Sequence, residues 1–259
     1  MSTFLAVFRK EVIDYARDRR TLLTSLLVGP LFGPILFGFV INLSIERSLK
    51  GATETSEVAV TGAHWTFSPV LGTTRDLRWG RVNETFGEDP YLIGVLGAAM
   101  VRGYQGDDLA DPHTILACAK HFAVHSGPEW SRHSLNINNL DPRDLRETYL
   151  PAFKALVVDA DVRQVMCAYQ RLDDEPCCGN TRLLRRILRD EWGFGYVVVS
   201  DCDAISDFYR GHQVSSDPLH AAAKGVLAGT DVECAWATYS YLNLFEAVAR
   251  DLLSEKEID

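Results

Sequence analysis

Residues 196–204 read YVVVSDCDA, and this stretch decides the fold class. Four apolar residues and a serine lead directly into Asp201, and a second apolar segment follows. A short apolar run without alternation is typical of a parallel strand that is covered on both faces. Asp201 then lies at the carboxyl end of that strand, where parallel α/β folds collect reactive groups. The alternative is that Asp201 caps the next helix or closes a turn.

Similar apolar runs lie on both sides of this stretch and lead into polar residues. They cover residues 66–71, 114–119, 162–168 and 224–229. Amphipathic helical patterns separate them, over residues 90–106, 142–159, 180–193 and 217–227. Strands that alternate with helices predict an α/β fold, here part of a (β/α)8 TIM-type barrel. The pairs Asp89-Pro90 and Asp141-Pro142 predict helix N-caps.

The first sixty or so residues have a different character. Residues 21–45 carry no charge over about the length that crosses a bilayer as a helix, and an amphipathic segment precedes them. Basic residues before this run predict a cytoplasmic N-terminus and a membrane-anchored protein with its barrel on the extracytoplasmic side. The alternatives are a signal peptide, which predicts a periplasmic or secreted protein, and a buried core helix. The predicted segments are 1–45, a polar linker at 46–62, and the barrel at 63–259.

Composition excludes several classes of function. The net charge is −9, and no basic stripe lies outside the N-terminus, so nucleic acid is not an expected partner. The six cysteines form no CxxC pair, and no glycine-rich nucleotide motif is present. We therefore expect neither a metal nor an organic cofactor. A membrane is a partner only through residues 21–45.

Charged residues at two further places are candidates for sugar binding. Lys120 and His121 directly follow the apolar run ILACA, which predicts a charge at the mouth of the barrel. A second group surrounds a tryptophan and comprises Arg75, Asp76, Arg78, Trp79 and Arg81. Charges beside an aromatic ring suit a sugar, which presents hydroxyls and apolar C–H faces. The alternatives are a core histidine for His121 and a solvated salt-bridge cluster for the second group.

A family resemblance rests on seven motifs that occur in order. They are RDLRWGRVNETFGEDPYL (75–92), ACAKHFAVHSGPEWSRH (117–133), RDLRETYLPAFKALV (143–157), VMCAYQRL (165–172), LRDEWGF (188–194), VVVSDCDAI (197–205) and AGTDVEC (228–234). Together they resemble the N-terminal barrel of the family 3 glycoside hydrolases, and bacterial β-glucosidases and β-xylosidases most of all. The loop HFAVHSGPE lacks the pattern of the N-acetylhexosaminidase branch. Residues 1–50 separately resemble the N-terminus of ABC-2-type transporter permeases.

The hydrolase resemblance implies a retaining β-glycosidase that acts on non-reducing-end sugars of plant-type oligosaccharides. It implies Asp201 as the nucleophile and Tyr169 close to it. It also implies sugar contacts from a further set of residues, Arg81, Lys120, His121, Arg132 and His133. Gln170 departs from the asparagine that the family usually has.

The resemblance also implies parts that we do not find in the sequence. The family's first barrel segments should precede residue 66, and a second α/β domain, which normally supplies the general acid, should follow residue 259. Glu129 is the one carboxylate in a plausible active-site loop that could take this role. We therefore expect weak or no activity from this chain. The alternative hypothesis is a non-catalytic, membrane-anchored chimera with a permease-like N-terminus.

Overall fold

The structure, a computed structural model, describes residue 59 and residues 61–236 and 238–258. The strands are β1 Ala119–Phe122, β2 Asn136–Ile137, β3 Gln164–Cys167, β4 Arg171–Leu172, β5 Glu175–Pro176 and β6 Val197–Ser200. The α-helices are α1 Pro90–Gln105, α2 Pro142–Asp144, α3 Pro151–Val158, α4 Asp207–Arg210, α5 Pro218–Ala228 and α6 Leu244–Ala249. Two π-helical segments cover Leu145–Tyr149 and Arg182–Glu191.

The main sheet is parallel and follows the order of the chain. β3 lies between β1 and β6 and pairs in parallel with both. Single parallel bridges extend this row, from Val70 to Lys120 on one side and from Val199 to Val232 on the other. The carboxyl ends of β1, β3 and β6 therefore lie at one edge, and the segments that follow them meet there. A small second sheet of β2, β4 and β5 lies in the connections beyond that edge.

The helix starts confirm the predicted N-caps. Asp89 accepts a hydrogen bond from the Leu92 amide and precedes Pro90 at the start of α1. Asp141 does the same for the amide of Arg143 at the start of α2. A proline suits the first helical position because its missing N–H has no partner there in any case.

Helices α1 and α3 pack against the sheet and build the main core. The side chains of Ile93, Val101, Phe153 and Leu156 are each no more than 2% exposed. Gly97 allows this close approach, because a Cβ there would lie 2.7 Å from Leu71 Cδ2. The core thus holds the strands rigidly and fixes where their carboxyl ends lie.

One predicted strand was wrong. Residues 224–229 belong largely to α5, which starts at the cap Asp217 and ends at Gly229 in the left-handed conformation, with φ of 101°. The chain then joins the sheet at Val232 rather than within 224–229. An apolar run with small residues is compatible with a strand or with a helix. The Asp217-Pro218 helix start upstream favours the helix.

The described residues test the barrel and the membrane helix only in part. They form an α/β fold with a parallel sheet, whose closure into a barrel is not observed. None of the helices within residues 61–236 and 238–258 is long and apolar enough to cross a bilayer. The predicted span at 21–45 and the linker to residue 58 lie outside the described residues.

Candidate active site

Asp201 follows the last residue of β6 and is buried, with 7% of its surface exposed. Its Oδ1 accepts a hydrogen bond from the Cys202 amide at 2.8 Å. Its Oδ2 lies 3.4 Å from His121 Nε2. Burial raises the pKa of Asp201 because little water remains to solvate the charge, and the amide and nearby cations lower it only in part.

Lys120 and His121 reach this group from β1. The register between β1 and β3 is irregular between Lys120 and Phe122. Such an irregularity changes the direction of side chains, and here both residues act on Asp201. His121 is 1% exposed, and burial holds its pKa well below the usual value, with a further lowering by His125 and the nearby cations. The imidazole is therefore neutral at pH 7, and its contact with Asp201 is not an ion pair.

Tyr169 lies shortly after β3. Its side chain contacts both Asp201 and residues of the loop that follows β1. Its hydroxyl interacts with the Asp201 carboxylate, and burial together with that negative charge raises the pKa of Tyr169. The Arg132 guanidinium lies over the Tyr169 ring, 5.1 Å from its centroid. The His133 ring lies against the same tyrosine at 4.6 Å and contacts Asp207 Oδ2 at 2.7 Å.

Gly211 allows its own segment of backbone to lie very close to the backbone of His133. A Cβ on Gly211 would lie 2.0 Å from the His133 carbonyl oxygen. Gly211 directly follows α4, which carries Asp207 at its start. The close approach of these two backbone segments therefore depends on the absence of a side chain at position 211.

Arg81 reaches the group from the segment before α1. It pairs with Glu84 through two hydrogen bonds of 2.9 and 2.8 Å, and its Nη1 lies 3.7 Å from Glu129 Oε1. Its charge also acts on Asp201. Of the sequence-predicted cluster around Trp79, only Arg81 points this way.

The other charged members of that cluster do not reach the site. Arg75 pairs with Asp144 on the surface, and Arg78 pairs with Asp76 in an exposed ion pair. Trp79 is 3% exposed and packs against His125 rather than forming an open platform. The ion pairs and the burial of Trp79 favour the alternative, a surface salt-bridge cluster beside a core tryptophan, and the sugar contacts of these residues stay a prediction.

His125 is the member of the group that sequence reasoning missed. Its Nε2 lies 3.3 Å from Glu129 Oε1, and its Nδ1 lies 3.2 Å from Gln170 Oε1. Its ring is 4.9 Å from that of His121. The available signal was the spacing of four residues between two histidines in KHFAVH, which has no fixed meaning outside a helix.

Glu129 is a second carboxylate in this group; it is only partly buried, and its pKa shift differs from that of Asp201. Burial raises its pKa, but the contact with His125 and the charges of Arg81 and Arg132 outweigh this, so the net shift is downward. Arg132 Nη1 lies 3.8 Å from Glu129 Oε1. Glu129 therefore stays ionised at neutral pH.

We define the Asp201 cluster as Arg81, Lys120, His121, His125, Glu129, Arg132, Tyr169 and Asp201. Several of its buried polar atoms have no hydrogen-bond partner within the described residues, among them Asp201 Oδ2, His121 Nδ1, Glu129 Oε2 and Arg132 Nε. Buried polar groups are normally hydrogen-bonded, so such a concentration at one sheet edge makes the cluster a candidate binding site. Within residues 61–236 and 238–258, no group of three or more histidine, cysteine or carboxylate side chains is arranged to hold a metal ion.

The profile of the family described as "Glycosyl hydrolase family 3 N terminal domain" matches residues 42–259. The chain belongs to glycoside hydrolase family 3. The match supports the hydrolase part of the predicted resemblance, and it extends through the whole predicted linker at 46–62 to residue 42. The comparisons give no support to a permease-like segment over residues 1–50.

Relatives of this family 3 chain share both sequence and fold with it. A xylan 1,4-β-xylosidase of Xylanibacter ruminicola is 61% identical over 195 residues, which are 75% of this chain and 22% of that protein. The structure of a β-glucosidase involved in saponin metabolism from intestinal bacteria matches with a TM-score of 0.74 at 40% identity, over 82% of this chain and 28% of that one. An exo-β-xylosidase in complex with a xylobiose aziridine activity-based probe matches with a TM-score of 0.75 at 32% identity, over 84% and 29%. The chain thus spans less than a third of the length of each relative.

Proposed function

We propose that this chain carries the nucleophile-bearing part of a retaining β-xylosidase, with Asp201 as the nucleophile. The observation that carries the proposal is the cluster of unpartnered buried polar atoms around Asp201 at the carboxyl edge of the sheet. The identity to a xylan 1,4-β-xylosidase supports the xyloside, and the structural match to a β-glucosidase supports a β-glucoside as the second candidate. The comparisons do not favour the non-catalytic alternative.

The proposed fold is part of a (β/α)8 barrel. Residues 65–70, β1, β3, β6 and residue 232 lie side by side in chain order and in parallel, as consecutive strands of such a barrel do. The reactive groups lie at the carboxyl ends of these strands, which is also the end that barrel enzymes use.

In the proposed reaction, the Asp201 carboxylate attacks the anomeric carbon, and a bond forms between them as the bond to the leaving oxygen breaks. That oxygen takes a proton from an acid. Water then hydrolyses the glycosyl-aspartate, which releases the sugar and restores Asp201. Lys120 and the neighbouring Arg81 favour the ionised form of Asp201 that the attack requires.

The other side chains of the cluster act on the sugar. We assign hydroxyl contacts to Lys120, His121 and Arg81, and weaker ones to Arg132 and His133. A neutral His121 can donate one hydrogen bond and accept another, which suits a sugar hydroxyl. Tyr169 positions Asp201 through its hydroxyl.

Glu129 does not suit the role of proton donor. Its lowered pKa keeps it ionised at neutral pH, whereas a general acid must hold a proton there. We propose that residues other than the described ones supply the acid. Without that acid, the Asp201 cluster alone should cleave disaccharides poorly.

We also propose an extracytoplasmic location, either membrane-anchored through residues 21–45 or periplasmic or secreted. The disulfide between Cys167 and Cys178 supports it, because disulfides persist mainly in oxidising compartments. Fractionation of cells that express the chain tests the location. Recovery in the cytosol with both cysteines reduced would contradict it.

Covalent labelling tests the proposed chemistry. A dinitrophenyl 2-deoxy-2-fluoro-β-xyloside has a leaving group that needs little protonation, so it should glycosylate Asp201 slowly even without the acid. Mass spectrometry of the digested protein should find one fluoroxylosyl group, on the peptide that contains Asp201. The glucose analogue should label more slowly if the xyloside assignment holds. A label on another residue, or none after prolonged incubation, contradicts the nucleophile assignment.

A further inference from the structure

Two cysteines lie beside Asp201 on two different segments of the chain. Cys202 directly follows Asp201, and Cys234 lies 32 residues further on. Their Sγ atoms are 2.6 Å apart. Non-bonded heavy atoms normally approach to about 3.5–4.0 Å. The two sulfurs are therefore closer than separate thiols pack.

Hydrogen bonds between the two segments fix this approach. The Asp203 amide donates to the Cys234 carbonyl oxygen at 2.8 Å, and the Cys234 amide donates to Ser200 Oγ at 2.9 Å. The Trp236 amide donates to Asp203 Oδ1 at 3.1 Å. The backbone thus places the two cysteines next to each other, whichever rotamers their side chains adopt.

The pair differs from the other free cysteines among the described residues. Cys202 and Cys234 are partly exposed, whereas Cys118 and Cys177 are buried. A dissolved oxidant can therefore reach this pair. As a free thiol Cys234 is a poor metal ligand, because burial together with Cys202 and Asp201 raises its pKa to about 12 and metals bind the thiolate. A disulfide, which is uncharged, suits this position better.

We propose that Cys202 and Cys234 form a disulfide that cross-links the segment carrying Asp201 to residues 232–236. The two thiols lose two protons and two electrons to a disulfide oxidant such as oxidised glutathione, which becomes two reduced glutathione molecules. The Cys202 amide holds Asp201 Oδ1, so the cross-link restrains the carboxylate itself. Only the importance of that restraint for catalysis rests on the proposed function.

Peptide mapping of the full chain tests the cross-link without any catalytic readout. The protein is incubated with an excess of oxidised over reduced glutathione, denatured, alkylated and digested without reduction. We expect the peptide with Cys202 to be joined to the peptide with Cys234, with two hydrogens fewer than their sum. Cys118 and Cys177, alkylated in the same sample, are the internal control. Alkylation of both Cys202 and Cys234 without prior reduction would overturn the proposal.

The restraint on Asp201 is tested by the rate of labelling with the fluoroxyloside. Reduction should slow labelling of the wild type by about 10- to 100-fold, the effect of a small misplacement of a reacting group. The double variant Cys202→Ser with Cys234→Ser keeps Cys167–Cys178 and should not respond to the reductant. An equal response in both proteins would assign the effect to Cys167–Cys178 and overturn the restraint. Absence of label in a chain whose cross-link is mapped contradicts the proposed function instead.

Discussion

The segment after β6 carries the buried Asp201, the loop after β1 carries the partly buried Glu129, and the pKa values of these two carboxylates are shifted in opposite directions. Asp201 has a raised pKa because burial outweighs its single amide hydrogen bond and the nearby cations. Glu129 has a lowered pKa because His125 and two guanidinium groups outweigh its burial. The two carboxylates share Arg81 and His125 as neighbours.

The difference shows that pKa direction alone does not assign catalytic roles. Taken alone, the raised pKa would make Asp201 the proton donor and Glu129 the nucleophile. The position at the end of β6 and the family motif support the reverse role for Asp201. We expect a bound substrate to donate hydroxyl hydrogen bonds to Oδ2 of Asp201, and donors to a carboxylate lower its pKa. We infer that Glu129 holds the cationic groups in place.

The largest expected effect comes from removing the nucleophile. Asp201→Asn should slow fluoroxyloside labelling by about 10⁴-fold or more, because loss of a nucleophile removes the covalent step. The matched control is Asp203→Asn, two residues further on, which keeps the acceptor for the Trp236 amide and should lose less than about tenfold. Mass spectrometry of the time course measures both. Equal losses in the two variants would assign the effect to the fold of the segment.

A smaller effect is expected from Glu129→Gln. Removing a charge-assisted contact to the guanidinium groups should slow labelling by about 10- to 100-fold. The loss should be equal for dinitrophenyl and mononitrophenyl fluoroxylosides, since a group that only positions cations does not sense the leaving group. A general acid would instead cost much more for the poorer leaving group, by about 10²- to 10⁴-fold. Such a difference would show that Glu129 is the proton donor.

The sequence predicted Asp201, Lys120 and Tyr169 at strand ends because each follows an apolar run, and it predicted α1 and α2 from their Asp-Pro starts. Their roles stay predictions. Sequence could not reveal that Cys202 lies next to Cys234, because 32 residues of chain separate them and only the sheet brings them together. Sequence also could not show that Arg81 contacts the Asp201 cluster whereas Arg78 forms a surface ion pair. Both are arginines of one motif, and only the packing of the chain turns Arg81 inward.

The two carboxylates should also affect stability with opposite sign. A raised folded pKa means that the folded state binds the proton more tightly, so stability falls as pH rises from about 4. Asp201→Asn should therefore stabilise the protein at pH 7, by about 1 to 3 kcal/mol, the cost of burying a polar atom such as Oδ2 without a hydrogen-bond partner. A lowered folded pKa stabilises above pH of about 4.3, so Glu129→Gln should destabilise at pH 7, by less than about 1 kcal/mol for this partly exposed group.

Urea unfolding at pH 7 and pH 4 measures both effects, and both should shrink at the lower pH. The exposed Glu88→Gln variant is the control and should change little. Destabilisation by Asp201→Asn at pH 7 would show that the carboxylate makes favourable contacts in the unliganded protein, and the contrast between the two segments would then disappear.

The smallest expected effect comes from His212, whose side chain contacts the backbone of Tyr169, a member of the Asp201 cluster. Its Nε2 contacts the Tyr169 carbonyl oxygen at 2.8 Å, and burial lowers its pKa to about 4. The unfolded chain, with a histidine pKa of about 6.5, binds the proton first as the pH falls, so stability declines between about 6.5 and 4. His212→Gln should flatten this decline by about 1 to 2 kcal/mol while keeping a donor for Tyr169.

The control is His113→Gln, which changes an exposed histidine and should leave the slope of stability against pH intact. Because His121 titrates in the same direction, the slope should diminish in His212→Gln rather than vanish. A slope identical to the wild type would show that folding does not shift the pKa of His212.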